Sequence, residues 1–387
     1  YYIIVDTGST DDSIELVKNF FKSHNIPGEI HEKPFVDFGV SRTHALRLCQ
    51  KHKWIDFVFV MDIDDLFVSE PEFDFHKILD LKYDCYEVAM RDQHGSDKPE
   101  VVEDLANAGM VYKRMCIFNN HYNWVYLSSI HEYPECTNKK NKEIGKIEGG
   151  YILSRRLGDR SKHTDKFLRD AKTCLRSLKR DPENTRNIFY CARSYFDYKE
   201  YKLAMEWYKK RLAADKTNKY CFFGEGYYAA LEIGRCLKNL QHGFGRDGVK
   251  EKISDQEIID AFVYAHSILP IRVEALYEAA VHCRERQLFD QAFIFAEKAL
   301  SIPKPVGDQN GMFFCLAKAY SFGVYDEYAM ACYNLGRYEE ADKMFSKIYE
   351  EKRCPIDQQG RVGWFHSEAR KKMIYKEATY IELEFLN

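Results

Sequence analysis

Two arrangements of apolar residues divide the chain. In the first part the apolar residues come in short unbroken runs that stop at acids. Phe57-Val58-Phe59-Val60-Met61 gives way to Asp62-Ile63-Asp64-Asp65, and Tyr1-Tyr2-Ile3-Ile4-Val5 ends on Asp6. Runs this short and this rich in Val, Ile and Phe predict strands buried on both faces, as in a parallel α/β sheet. Thr7-Gly8-Ser9-Thr10-Asp11-Asp12-Ser13 after the first run predicts a tight turn and a capped helix over about Ile14 to His24. A second helix is predicted over Ser41–Cys49, with Arg42 in its first turn. Further strands are predicted at Cys85–Arg91, Gly109–Lys113 and Met115–Phe118. An aromatic-rich stretch, Asn123 to Pro134, carries the pair His131-Glu132.

From about Lys162 the spacing becomes helical and it repeats. Tyr201-Lys202-Leu203-Ala204, Phe289-Asp290-Gln291-Ala292 and Tyr338-Glu339-Glu340-Ala341 each set an aromatic three residues before an Ala at a helix start. A small-residue helix precedes each, over Tyr190–Tyr195, Leu276–Cys283 and Tyr328–Leu335. Ile258–Ala261 is a more degenerate copy. Asp181-Pro182-Glu183-Asn184 and Leu269-Pro270 break the helices. Small residues where helices cross, with aromatics at the turn, predict helix-pair repeats of the tetratricopeptide type. Gly149-Gly150 and Arg155 to Arg160 mark the expected division, with an α/β domain over 1–160 and a helical repeat domain over 161–387.

Composition narrows the function. The 387 residues hold 57 Lys and Arg against 60 Asp and Glu, a net charge of −3 that gives no sign of a nucleic-acid binder. No apolar run approaches a membrane span. The 12 cysteines stand singly. Cys191, Cys236, Cys283 and Cys332 fall among small and apolar residues of helical segments, which predicts free core thiols and a cytoplasmic setting rather than disulfides or zinc. The chain opens on a buried-strand pattern at Tyr1 without a Met, so an upstream segment is expected to be missing.

The acids at the strand ends are the candidate chemistry. Side chains at i and i+2 of an extended segment point the same way, roughly 6–7 Å apart. Asp62 and Asp64 would then share one spot and repel each other unless a Mg²⁺ or Mn²⁺ sat between them. Asp65 alone reads as a turn or capping residue. Asp6, before the turn at Thr7 and Gly8, is placed to accept hydrogen bonds from a base or ribose. Arg42 either forks onto a diphosphate or pairs with a nearby Asp.

Taken together, Val5-Asp6-Thr7-Gly8-Ser9-Thr10-Asp11, Phe38-Gly39 with Ser41-Arg42, Met61-Asp62-Ile63-Asp64-Asp65, His131-Glu132-Tyr133, Phe167-Leu168-Arg169-Asp170 and Phe189-Tyr190 with Ser194-Tyr195 make the chain resemble a family 2 glycosyltransferase. The resemblance is to members of the GT-A fold that carry a C-terminal tetratricopeptide-like domain. It implies a metal-dependent, inverting transfer of a sugar from a nucleoside diphosphate donor, UDP being the expected nucleotide. It also implies that a first strand and helix of the α/β domain are absent here. By position Asp6, with Thr7 and Gly8, would meet the nucleotide, Arg42 the diphosphate, Asp62 the ribose and metal, and Asp64 the metal. Glu132 would be the base, with His131 as orienter, second metal contact or alternative base. The acceptor, a protein or a glycan, would dock on the repeat domain. Two rival readings stand beside it. One is a catalytically inactive tetratricopeptide scaffold that binds proteins. The other is a haloacid dehalogenase-like phosphatase, disfavoured because Asp65-Leu66 follows Asp64 in place of a small residue and a Thr or Val.

Overall fold

A computed structural model describes residues 1–74, 82–92, 111–155, 163–215, 223–303, 316, 318–351 and 356–385. The chain forms two compact units, Tyr1–Pro182 and Glu183–Asn387. The division lies later than the 160/161 boundary expected from sequence, where 156–160 fall outside the described residues.

The front unit begins with strand β1 (Tyr2–Asp6), helix α1 (Ser13–Ser23) and strand β2 (Gly28–Glu32), the two strands running parallel with Tyr2 opposite Gly28. Gly28 has no room for a side chain, because a Cβ there would lie 2.3 Å from the Tyr2 carbonyl oxygen. Helix α2 (Phe38–Cys49) follows, then β3 (Phe57–Phe59), β4 (Leu66–Ser69), β5 (Cys85–Asp92), β6 (Val111–Asn119), β7 (Trp124–Leu127), β8 (Tyr133–Cys136), β9 (Ile144–Ser154) and α3 (Lys166–Leu178). Five strands form a mixed sheet in the order β3-β6-β5-β9-β4. Among its described residues only β5 and β9 run parallel; the other pairings are antiparallel. Tyr86, Val88, Met90, Ile117 and Ile152 pack in one cluster, and Leu46, Cys85, Phe118, Trp124 and Tyr126 in another. Two predicted strands, Gly109–Lys113 and Met115–Phe118, are one strand here, with Gly109 outside the described residues.

The expected parallel sheet centred on the Phe57–Val60 run is corrected. β3 is a three-residue edge strand, paired antiparallel to β6 and half-buried to exposed, with the ring of Phe59 partly in solvent. An unbroken apolar run fits a lipophilic edge as well as a buried centre, so the pattern alone misplaced it. A mixed sheet is what stands; a GT-A architecture is not established by it.

The second unit is a succession of helices: α4 (Thr185–Asp197), α5 (Tyr201–Asp215), α6 (Phe223–His242), α7 (Asp255–Ile268), α8 (Glu274–Glu285), α9 (Phe289–Leu300), α10 (Val324–Asn334, led in by a π turn over Ala319–Gly323), α11 (Tyr338–Glu350) and α12 (Ile356–Phe385). It is a tetratricopeptide-like stack of helix pairs. Three pairs turn identically. Lys199, Gln287 and Gly336 all adopt positive φ, at 63°, 60° and 73°. The next amide reaches back five residues in each, Glu200 to Tyr195, Leu288 to Cys283 and Arg337 to Cys332, at 2.9, 2.8 and 2.9 Å. This is the left-handed helix stop, and the second helix starts two residues on at Tyr201, Phe289 or Tyr338. Ala204, Ala292 and Ala341 are fully buried where the pairs cross, as the repeat predicted. In the degenerate copy Phe262 and Ala265 are buried while Ala261 is half-exposed, so the small residue sits four positions later than expected. Gly234 makes room for Phe262, since a Cβ there would lie 2.5 Å from its ring. Cys191, Cys236, Cys283 and Cys332 are buried free thiols, and burial raises Cys283 to about 12.

Candidate functional site

Helix α2 opens earlier than the sequence suggested, because Asp37 caps it by accepting from the Val40 amide at 2.8 Å. Arg42 is therefore one turn inside the helix and away from the unfavourable first-turn position. The helix start is fixed to the β7–β8 hairpin. The Phe38 amide donates to the Ser129 carbonyl, the Tyr126 amide donates to the Thr43 hydroxyl at 2.8 Å, and a Cβ on Gly39 would strike the Ser128 carbonyl at 2.3 Å.

From this position Arg42 donates through Nε to Glu132 at 2.6 Å and through Nη2 to Asp62 at 2.7 Å. Arg114 stands 3.5 Å from the same Glu132 oxygen. The hairpin loop between β7 and β8 contains Ser128 and His131, both at positive φ. His131 is exposed, and the Glu132 side chain is turned in, only 9% exposed. Burial works against the charge on Arg42, but Asp62 and Glu132 outweigh it and raise its pKa. Tyr126 packs beside the cluster with its hydroxyl buried and, among the described residues, without a hydrogen-bond partner; burial pushes it up to about 12.

The other expected residues make different contacts. Asp6 folds onto its own turn, accepting from the Gly8 and Ser9 amides at 3.0 Å and from the Ser9 hydroxyl. The Ser9 hydroxyl is the main reason its pKa is lowered. Gly8 has φ 124° and Thr7 is exposed, so the three make a turn rather than an open cradle. Asp62 and Asp64 do not share one face of a strand. Residues 62–65 form a turn closed by the Asp65 amide on the Asp62 carbonyl at 3.1 Å. Asp65, read from sequence as a capping residue, is the buried acid of the three. Its pKa is raised to about 6, first by burial and then by Asp62 and Asp64.

The arrangement does not fit a divalent cation. Asp62 faces a guanidinium, and among the described residues no group of three or more His, Cys, Asp or Glu side chains gathers to hold a metal. Sequence reasoning missed Arg114, Tyr126 and the burial of Asp65. Their only signal was position, Arg114 within a strand and Tyr126 four residues before Ile130.

The second unit presents a different kind of site. Its first helices spend their charges on one another. Arg235 of α6 donates to Glu278 of α8 at 2.7 Å, Arg284 of α8 grips Glu327 of α10 at 2.6 and 3.1 Å, and Arg361 of α12 meets Asp326 of α10 at 2.6 Å. Buried Glu274 accepts from Arg272 at 2.5 and 2.8 Å, from the Tyr320 hydroxyl and from the Leu316 amide. Among the described residues of the four helix pairs, the large apolar side chains left exposed fall on the second helices: Leu203 on α5, Val263 and Tyr264 on α7, Ile294 on α9 and Tyr349 on α11.

No protein-family model matches the chain, and no curated protein matches it. Solved structures do. MamA is 20% identical, with a TM-score of 0.36, over 53% of this chain and 91% of its own. YrrB, described as a TPR protein with an unusual peptide-binding site, is 14% identical, with a TM-score of 0.37, over 54% of this chain and 85% of its own. TTC0263, a thermophilic TPR protein in Thermus thermophilus, is 18% identical, with a TM-score of 0.34, over 54% and 95%. The expectation of a glycosyltransferase enzyme is corrected by these findings. YrrB and TTC0263 are described as TPR proteins, and Arg42, expected on a diphosphate, pairs with Asp62 and Glu132, the acids expected on ribose and as base. Among the described residues no helix is long and apolar enough to cross a membrane.

Proposed function

We propose that the chain is a protein-binding scaffold whose partner lies across the second helices of the repeat unit. One observation carries this reading. Each of the four helix pairs leaves a large apolar side chain exposed on its second helix, while the first helices of those pairs bury theirs and pair their charges; α12, outside the four pairs, leaves Trp364, Ile374 and Tyr375 exposed. A row of such side chains gives a partner anchors at successive repeats, and Tyr264 and Tyr349 are of a residue type that often dominates the energy of a protein interface. In the front unit the Arg42, Asp62 and Glu132 cluster then serves as a brace that locks α2, the 62–65 turn and the hairpin together.

The test is selection of peptides from a random displayed library against the full chain, followed by fluorescence polarisation with Tyr264→Ser/Ile294→Ser. The double substitution is expected to weaken a selected peptide at least about tenfold at unchanged melting temperature. A library that yields no binder, or peptides that bind the variant as tightly as the parent, refutes the reading.

A further inference from the structure

Helix α3 carries Arg169, Lys172 and Arg176, with its capping residue Lys179 and then Arg180 directly after, and all five are exposed. Steps of three and four residues put them on one face. The opposite face, with Asp170, Ala171, Thr173, Cys174 and Leu178, is buried. Among the described residues, acids pair with this stripe only at its ends. Asp165 pairs with Arg169 at 3.0 Å, and Asp37 pairs with Arg180 at 3.2 Å. Among the described residues no carboxylate forms an ion pair with Lys172, Arg176 or Lys179, and Arg176 donates instead to the Thr173 hydroxyl at 3.0 Å.

In a chain of net charge −3 this concentration has a local cost. Arg169 with Lys172, Lys172 with Arg176 and Arg176 with Lys179 are like charges one turn apart, and each such pair works against the helix. The helix dipole rewards cations in the last turn, which accounts for Arg176 and Lys179 but leaves Lys172 unexplained. An anionic partner would relieve all three. The span from Arg169 to Arg180 is roughly 16 Å, the length of about five residues of extended chain. A membrane-surface helix also needs an exposed apolar face to insert, and the apolar face of α3 is already spent inside the front unit.

We propose that the exposed face of α3 binds an acidic segment of a partner protein, its carboxylates falling between Lys172, Arg176 and Lys179. This proposal does not rest on the second-helix row.

The probe is a labelled peptide of alternating Glu and Ser, titrated with the full chain at low salt. An alternating Lys and Ser peptide, a labelled DNA duplex and phosphatidylserine vesicles run alongside. The Glu peptide is expected to bind, and to weaken at least about tenfold in K172E/R176E/K179E and again at about 1 M salt, where exposed charges are screened. The neutral variant K172Q/R176Q/K179Q is expected to show an intermediate loss, which guards against misfolding of the reversed one. Lys172→Glu alone is expected to raise the melting temperature, since a carboxylate there faces Arg169 and Arg176. Equal binding of the Glu peptide by parent and variants overturns the proposal. So does binding of the duplex or the vesicles without the peptide. Peptides selected on the second-helix row are expected to bind all these variants normally, so either result can fail without the other.

Discussion

The Nε of Arg42 donates to Oε1 of Glu132 at 2.6 Å, joining residues 90 positions apart in a pair that is 15% and 9% exposed. Removing one side of a buried ion pair strips the other of its partner, but Glu132 keeps Arg114 at 3.5 Å and the Asp62 side chain is 43% exposed. Arg42→Ala is therefore expected to cost the front unit about 1–3 kcal/mol in urea unfolding, short of a fully stranded buried charge. Arg42→Lys keeps the charge but loses the fork and should fall between. An unfolding curve unchanged by Arg42→Ala would show that the brace is idle.

Asp65 gives the front unit a pH signature. Its carboxyl is raised from 3.8 to about 6, first by burial and then by Asp62 and Asp64. The folded state then holds more protons than the unfolded chain between those values, so this group's contribution to stability falls as pH rises from about 4 to 6. Asp65→Asn is expected to stabilise the unit above pH 6 and to leave it unchanged near pH 3. Melting temperatures across that range check it, and a parallel shift at every pH would contradict it.

The three matching turns allow an exchange test. Lys199 and Gln287 hold a left-handed backbone that costs a residue with a side chain about 1–2 kcal/mol, while Gly336 holds it freely. Lys199→Gly and Gln287→Gly should each stabilise the repeat unit by about 1 kcal/mol, and Gly336→Ala should destabilise it by a similar amount. A Cβ at Gly336 meets nothing within 4 Å, so the penalty there is backbone strain alone. Chemical denaturation of the three variants reads it out.

The crossing alanines can be checked against the degenerate copy. Leucine at Ala204, Ala292 or Ala341 overfills a closed contact and should cost about 1–3 kcal/mol. Ala261→Leu, at a half-exposed position, should cost little. Comparable losses at all four sites would restore the repeat as first read from sequence.

The repeat unit was legible because its signal is dense and local. An aromatic, a turn and an Ala recur at fixed spacing within a pair, though the pairs follow at unequal intervals, and packing between neighbouring helices enforces the spacing within each pair. The second helices begin at the very residues the sequence marked, Tyr201, Phe289 and Tyr338. The front unit was less legible because its geometry is set at long range. Whether Asp62 and Asp64 share a face depends on the chain staying extended after Phe59, and it turns instead. The helix start predicted at Ser41 leaves out Asp37, which caps α2 by accepting from the amide three residues on. For Arg42 the sequence left open a diphosphate or a nearby Asp, and the structure supplies the Asp together with Glu132.

The most direct test of the scaffold reading is hydroxyl-radical footprinting of the full chain with and without a selected peptide. The expected result is loss of reactivity at Leu203, Tyr264, Ile294 and Tyr349 with the front unit unchanged. Protection confined to the front unit, with those four side chains as reactive as before, would contradict it.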